Sequence, residues 1–136
     1  MKIPIVVWIL CFFVFTTPVS AVNIAITNFP TTIENLDQFQ VTASISGAMN
    51  ATNYLRVDLY KEATTNYFGE TFNGTDWYSG SDGKSYYPIQ IQNSSASATI
   101  FAQIGNPTAG QYSGPGAYKL KIRRYTSSGS PALKVL

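Results

Sequence analysis

Beyond residue 21, apolar and polar side chains alternate with a period of two, and no stretch carries the apolar stripe of an amphipathic helix. Val22 to Phe29 sets Val22, Ile24 and Ile26 on one side and Asn23, Ala25 and Thr27 on the other. Pro30 then ends the strand, because it brings no amide hydrogen to a ladder. Asp37 to Ser46 turns Phe39, Val41, Ala43 and Ile45 to one face, between Gln38, Gln40, Thr42 and Ser44. Tyr54 to Lys61 does the same with Leu55, Val57 and Leu59, and shows Tyr54, Arg56, Asp58 and Tyr60 outward. These two segments read as facing core strands.

The middle of the chain is less regular. A short strand around Asn66 to Phe72 runs into Asn73-Gly74, a tight-turn pair because both residues tolerate positive φ. Thr75 to Tyr78 and Ser85 to Gln92 read as two strands joined through Gly80-Ser81-Asp82-Gly83, with Asp82-Gly83 as a hairpin tip. The spacing does not fix a strand order across residues 66 to 95. After Asn93-Ser94-Ser95, Ala96 to Ile104 alternates again with Ala96, Ala98, Ile100, Ala102 and Ile104 inward, and Gly105-Asn106-Pro107 closes it. Ser113 to Ala117 forms a glycine-rich corner, with Gly116 just ahead of Tyr118, and leads into a strand with Tyr118, Leu120 and Ile122 inward. Immunoglobulin-like sandwiches place a tyrosine at this point of their sixth main strand, with its hydroxyl bonded back to the corner. Thr126 to Ser130 is a hairpin loop into a last strand, Ala132 to Val135. Roughly seven to nine strands at this spacing predict an all-β, immunoglobulin-like antiparallel two-sheet sandwich, with a closed barrel as the alternative.

The first 21 residues follow another pattern. Lys2 precedes an apolar run from Ile3 to Phe15, and Pro18-Val19-Ser20-Ala21 gives small or modest side chains at the positions a signal peptidase reads. A signal helix cleaved after Ala21 is expected, leaving residues 22–136 as one domain long enough to bury roughly two thirds of its unfolded surface. A membrane-spanning anchor would need about 20 apolar residues, and this run is shorter. Contact with a membrane is therefore expected only through this segment, and only if it stays uncleaved. Cys11, the single cysteine, lies inside the run behind bulky Leu10, which makes it filler rather than a lipidation site.

The exported product would contain neither thiol nor imidazole, since the chain has no histidine. That removes the usual nucleophile, general base and transition-metal ligand. Of nine Lys and Arg, Lys2 departs with the signal, leaving eight against seven Asp and Glu. Such a balance gives no steering toward nucleic acid or anionic lipid. The acids Glu34, Asp37, Asp58, Glu62, Glu70, Asp76 and Asp82 fall mostly in turns or at outward positions, where a carboxyl keeps an ordinary pKa, so no enzyme is expected. Calcium could draw on Asn73, Asp76 and Asp82, but these lack the run of a calcium loop and read as turn formers. Neither cofactor nor metal is implied. Lys119, Lys121 and Arg123, continued by Arg124, read as a solvated face that discourages edge pairing. Asn50-Ala51-Thr52, Asn73-Gly74-Thr75 and Asn93-Ser94-Ser95 match the glycosylation pattern and mark loops.

Aromatic residues offer the best lead to a contact surface. Tyr67, Phe68, Trp77, Tyr78, Tyr86 and Tyr87 fall close together, and adjacent pairs on a strand point to opposite faces. At least one of Trp77-Tyr78 and one of Tyr86-Tyr87 is expected outside, the other in the core. Trp77, Tyr78, Tyr86, Tyr87 and Tyr67 are thus the candidate contact residues, and Tyr118 with Gly116 the structural corner.

Phe29-Pro30, Thr65 to Gly69, Asp76-Trp77 and the stretch Gly114 to Ser130, together with the export signal, resemble secreted immunoglobulin-like modules at the N-terminus of bacterial lamin-tail-domain surface proteins. The resemblance implies a secreted or cell-surface, non-catalytic role in adhesion, structural support or protein contact, with a protein or cell-envelope partner. It also implies a bacterial setting, where the glycosylation matches would go unused. A carbohydrate-binding module with an exposed aromatic platform is the alternative, its partner a glycan.

Overall fold

Eight strands appear in the computed structural model, which describes residues 21–34, 37–106 and 111–132. They are β1 (Asn23–Asn28), β2 (Gln38–Ser46), β3 (Thr52–Tyr60), β4 (Glu70–Phe72), β5 (Trp77–Tyr78), β6 (Tyr87–Gln90), β7 (Ser95–Gln103) and β8 (Lys119–Tyr125), with one 3-10 turn at Gly83–Ser85. All pairings are antiparallel. The strands form a five-stranded sheet in the order β1-β2-β7-β4-β5 and a three-stranded sheet in the order β6-β3-β8. The protein is all-β with two antiparallel sheets, and among the described residues there is no α-helix. The expected export segment as far as Ser20, and most of the expected last strand, lie outside the described residues. The start of that strand is present: Ala132 N donates to Arg124 O at 2.8 Å, and Thr126 N donates to Ser130 O at 2.9 Å across the preceding loop.

The inward phases of the long strands meet in one apolar layer. Phe39, Val41, Ala43 and Ile45 of β2 and Ile100 and Ala102 of β7 pack with Leu55, Val57 and Leu59 of β3. Leu120 and Ile122 of β8, and Val22, Ile24 and Ile26 of the β1 segment, are half-buried against them. Each fully buried branched side chain contributes about 1.5–3 kcal/mol of hydrophobic stabilisation, which makes this layer the main source of cohesion.

The chain passes between the sheets at Phe68-Gly69-Glu70. Phe68 exchanges backbone bonds of 2.9 and 3.0 Å with Leu59 of the three-stranded sheet, while Glu70 pairs with Gln103 of the other. Gly69 between them has φ +110, and a Cβ there would lie 3.3 Å from Gln103 O, so glycine suits both the dihedral and the close approach.

One residue later the two sheets are hydrogen-bonded through a side chain. The β6-side edge of β3 is paired only as far as Leu55 and rejoins a partner at Leu59, which leaves Val57 with β8 on its other side but no strand on this edge. Val57 N donates to Thr71 Oγ1 at 2.9 Å, and Thr71 Oγ1 donates to Val57 O at 3.4 Å. A hydroxyl can do both, having one donor hydrogen and two acceptor lone pairs. Thr71 is fully buried, so water cannot take its place.

Two expectations fail in the middle of the chain. Asp82-Gly83 is not a hairpin tip, because β5 and β6 belong to different sheets. Asp82 instead caps the 3-10 turn, with Oδ1 accepting from Lys84 N and Oδ2 from Ser85 Oγ. Gly83 is buried where a Cβ would stand 2.2 Å from Gly129 O, so it serves close packing rather than a turn dihedral. The two-residue turn with both central residues at positive φ is Asn93-Ser94, closed by Gln92 and Ser95. Asp58 is the second failure: it lies on the outer face of β3, as its phase requires, yet it is 0% exposed.

Thr71→Val keeps the side-chain shape and leaves the Val57 amide unpaired, so it should cost about 1–3 kcal/mol in denaturant unfolding. Thr71→Ser, which retains the hydroxyl, should cost about 1 kcal/mol or less. A loss under about 0.5 kcal/mol for Thr71→Val, as at an ordinary surface site, would remove the bond from the account.

Candidate functional site

Because Thr71 points inward, its neighbours Glu70 and Phe72 point outward from the five-stranded sheet. Phe72 pairs with Trp77 across β4 and β5, and their ring centroids are 5.3 Å apart. The β4–β7 register, with Thr71 opposite Ala102, sets Phe101 beside Phe72 on the same outer face. Phe101 is 41% exposed and pairs in turn with Gln40 of β2. The result is a row of Trp77, Phe72 and Phe101 running across three strands and ending at Gln40.

Polar groups bracket the row. On one side Gln103 Nε2 donates to Glu70 Oε2 at 2.6 Å; on the other the hydroxyls of Thr42 and Thr99 lie 2.9 Å apart. Phe101 is the only large apolar residue in the outward phase of β7, between Ser97, Thr99 and Gln103. Neither Phe72 nor Phe101 is marked by the clustering of aromatics along the chain, which favours Tyr67, Phe68, Trp77, Tyr78, Tyr86 and Tyr87. The signal was a phenylalanine in the polar phase of an otherwise regular strand.

The candidate contact residues do not gather at one place. Trp77 is half-buried on the outer face of the five-stranded sheet and belongs to the row. Tyr78 pairs with inward Thr71 and packs edge-on to Tyr86 at 4.9 Å, and its hydroxyl accepts from Asp82 N at 3.0 Å. Tyr86 is 1% exposed, stacks on Tyr125 at 5.4 Å and donates to Gly80 O at 2.5 Å, which removes it from any contact surface. Tyr87 pairs with Leu55 and packs half-buried against the core, so neither member of Tyr86-Tyr87 is freely exposed. The loop of residues 79–86 folds back onto the other sheet, covering an aromatic that alternation alone would leave outside. Tyr67 lies on the far side of the molecule, over the outer face of β3 and β8, with its ring 5.3 Å from Tyr60.

That far face is closed by a charged layer. Asp58 receives Arg56 Nε at 2.5 Å on Oδ1, while Arg123 Nε stands 2.6 Å from Oδ2 as an ion pair whose N–H is not aimed at the oxygen. The Arg123 guanidinium lies 4.1 Å over the Tyr67 ring, Lys121 Nζ 4.9 Å over the same ring, and the Arg56 guanidinium 5.2 Å over Tyr86. Burial pushes the Asp58 carboxyl above its ordinary value, against the pull of Arg56 and Arg123. Burial lowers Arg56, but Asp58 and Tyr86 outweigh it and hold the guanidinium above its usual range. The expectation of a solvated face holds for Lys119 and Lys121, which are exposed, and is corrected at Arg123 and Arg124, which are half-buried. Arg123 is committed to Asp58, Lys119 pairs with Glu62, and Arg124 Nη1 donates to Asn53 Oδ1 at 2.6 Å. Two arginines and a tyrosine on each side leave Asp58 no path to a substrate.

At the glycine-rich corner Tyr118 donates to Gly114 O at 2.5 Å, and its ring meets Phe68 edge-on at 5.3 Å. Gly114, at φ +86, and Gly116, at φ +159, both have positive φ, and a Cβ on either would meet nothing within 4 Å, so backbone conformation rather than space favours glycine at this corner. Beside this corner a cleft of about 910 Å³ opens between the loop after β1 and residues 112–120, lined by Ile26, Ile33, Phe68, Tyr112 and Leu120 among others. Asn73 Oδ1 accepts from Thr75 N and Asp76 N, so Asn73, like Asp82, is engaged in shaping a turn. Among the described residues no three His, Cys, Asp or Glu side chains are grouped to hold a metal ion, and no helix is long and apolar enough to cross a membrane.

The buried Tyr86 phenol has a pH consequence. Burial raises its pKa well above the ordinary 10.0, so the stability it contributes is complete below about pH 10 and is lost as pH rises toward the folded value. Unfolding free energies measured at neutral pH and above pH 10 should show a steeper alkaline decline in the wild type than in Tyr86→Phe, which should itself cost roughly 1 kcal/mol at neutral pH through the lost Gly80 bond. Identical alkaline slopes would mean that the phenol is not shielded. The chain matches no protein-family model, no curated protein and no solved structure.

Proposed function

We propose that this chain is a secreted or cell-surface, non-catalytic immunoglobulin-like module that makes adhesive, structural or protein contacts through the outer face of its five-stranded sheet. The observation that carries this reading is the row of exposed Phe101 and half-buried Phe72 and Trp77 on an otherwise polar face, opposite a three-stranded sheet whose outer face is closed around Asp58 by ion pairs. Rigid aromatic area at low entropic cost is what contact surfaces use.

Strand order supports the immunoglobulin-like assignment. The run β1-β2-β7-β4 follows the order of the A, B, E and D strands of a constant-type domain, and β3-β8 the neighbouring C and F strands, with β5 and β6 as additions at the edges. The Tyr118 bond to Gly114 has the form of the tyrosine corner. The resemblance to the N-terminal modules of lamin-tail-domain surface proteins points the same way, as does the Met1 to Ala21 export signal. A buried, doubly paired Asp58 and an Asp82 carboxylate engaged as a cap favour a binding role over catalysis.

The test is retention of the exported product on insoluble cell-envelope material, compared with a variant carrying Phe72→Ala, Trp77→Ala and Phe101→Ala. Wild-type protein should be retained and the folded variant retained about tenfold less, a loss typical of one central aromatic anchor. Equal retention of the two, or an export product that still carries Met1 to Ala21, would contradict the proposal.

A further inference from the structure

We propose that the ligand of the aromatic row is a neutral polysaccharide, bound with its chain running across strands β5, β4 and β7; this rests on the reading of that face as the contact surface. The first argument is width. The row is one side chain wide, with Glu70 and Gln103 on one flank and Thr42 and Thr99 on the other. A protein partner buries about 800 Å² a side around a broad apolar core, which such a strip does not offer. A chain of sugar rings needs only a succession of flat apolar faces, because each pyranose presents one apolar face and a rim of hydroxyls.

Length and chemistry agree with this. Neighbouring strands lie about 4.8 Å apart, so three aromatic side chains on three adjacent strands form a platform about 10 Å long before side-chain overhang. Phe72 and Trp77 at 5.3 Å show that spacing directly. The flanks supply amides, hydroxyls and one carboxylate, the groups that pair with vicinal hydroxyls as both donors and acceptors. Gln40 extends the row with an exposed amide beside Phe101.

The flank is also pre-set. Gln103 Nε2 holds Glu70 Oε2 at 2.6 Å, and a Cβ on Gly105 would lie 2.8 Å from Glu70 Cγ, so the Glu70 stem rests on a glycine and is fixed from below as well as from the side. Groups held in place before binding lose less freedom on binding. With Glu70 the only formal charge in this set and already engaged by an amide, the face complements an uncharged ligand rather than an anionic one.

The experiment presents the exported protein with soluble neutral polysaccharides (a β-glucan, a xylan and a galactomannan) and with an anionic polygalacturonate. Binding is read by affinity electrophoresis and by the fluorescence of Trp77, the only tryptophan after the signal segment. The expected result is retardation by at least one neutral polymer, a shift in Trp77 emission, little change between low and high salt, and at least a tenfold weakening in Phe101→Ala and in Gln40→Ala with unchanged melting. The same polymer should displace the protein from envelope material. Three results would overturn the glycan assignment: binding to polygalacturonate alone, no binding to any neutral polymer, or envelope retention that requires Phe72, Trp77 and Phe101 but is abolished by protease treatment of the envelope. The last would leave the contact surface standing with a protein as its partner. Absence of envelope retention in the wild type together with neutral-polymer binding would instead sink the envelope reading and keep the sugar site.

Discussion

The Thr71 hydroxyl decides which way β4 faces. It fills the gap in the β3 ladder at Val57, joining the two sheets by a side chain to the backbone. Once that oxygen is turned inward, the period of two leaves Glu70 and Phe72 no choice but the outer face. Phe72 then brings Trp77 beside it through the β4–β5 turn, and meets Phe101 through the register with β7. A core requirement and a surface feature are thus two consequences of one hydrogen-bonded residue.

The two outer faces are finished in opposite ways. Over β3 and β8, carboxylate, guanidinium and ring alternate from Tyr67 through Arg123, Asp58 and Arg56 to Tyr86, so every charge has a partner and every ring a cation or another ring. Such a layer gains less from its ion pairs than their short distances suggest, because burial of Asp58 costs much of what the arginines return. Its effect is to close that face. Over β2, β7, β4 and β5, short hydroxyls and amides surround three rings, of which Phe101 is exposed and Phe72 and Trp77 are half-buried. The asymmetry is what supports the proposal that the outer face of the five-stranded sheet is the contact surface.

The long strands were legible in the sequence because their alternation is strict. Phe39, Val41, Leu55, Val57 and Ile100 point inward as their phase demands, and Pro30 and the glycine-rich corner mark ends correctly. What was not legible depended on partners distant in the chain. Asp58 occupies an outward phase, and it is buried beneath Arg56 and Arg123, which Tyr86 and Tyr67 in turn hold over that face. Asp82-Gly83 has the composition of a hairpin tip, but the strands on either side of it join different sheets, and no local pattern reports which sheet a short strand will join. The same holds for the surface row. Tyr86 and Tyr87 stood near Trp77 in sequence and lie elsewhere in space, while Phe101 was remote in sequence and lies two strands away.

The measurement that reaches the centre of this account is side-chain solvent contact in solution, read as broadening of proton resonances by a soluble paramagnetic agent. Strong broadening of the Phe72, Phe101 and Trp77 ring protons, with the Thr71 methyl and Tyr86 ring protected, is the predicted pattern. Protected Phe72 and Phe101 rings beside a broadened Thr71 methyl would place β4 the other way round and contradict it.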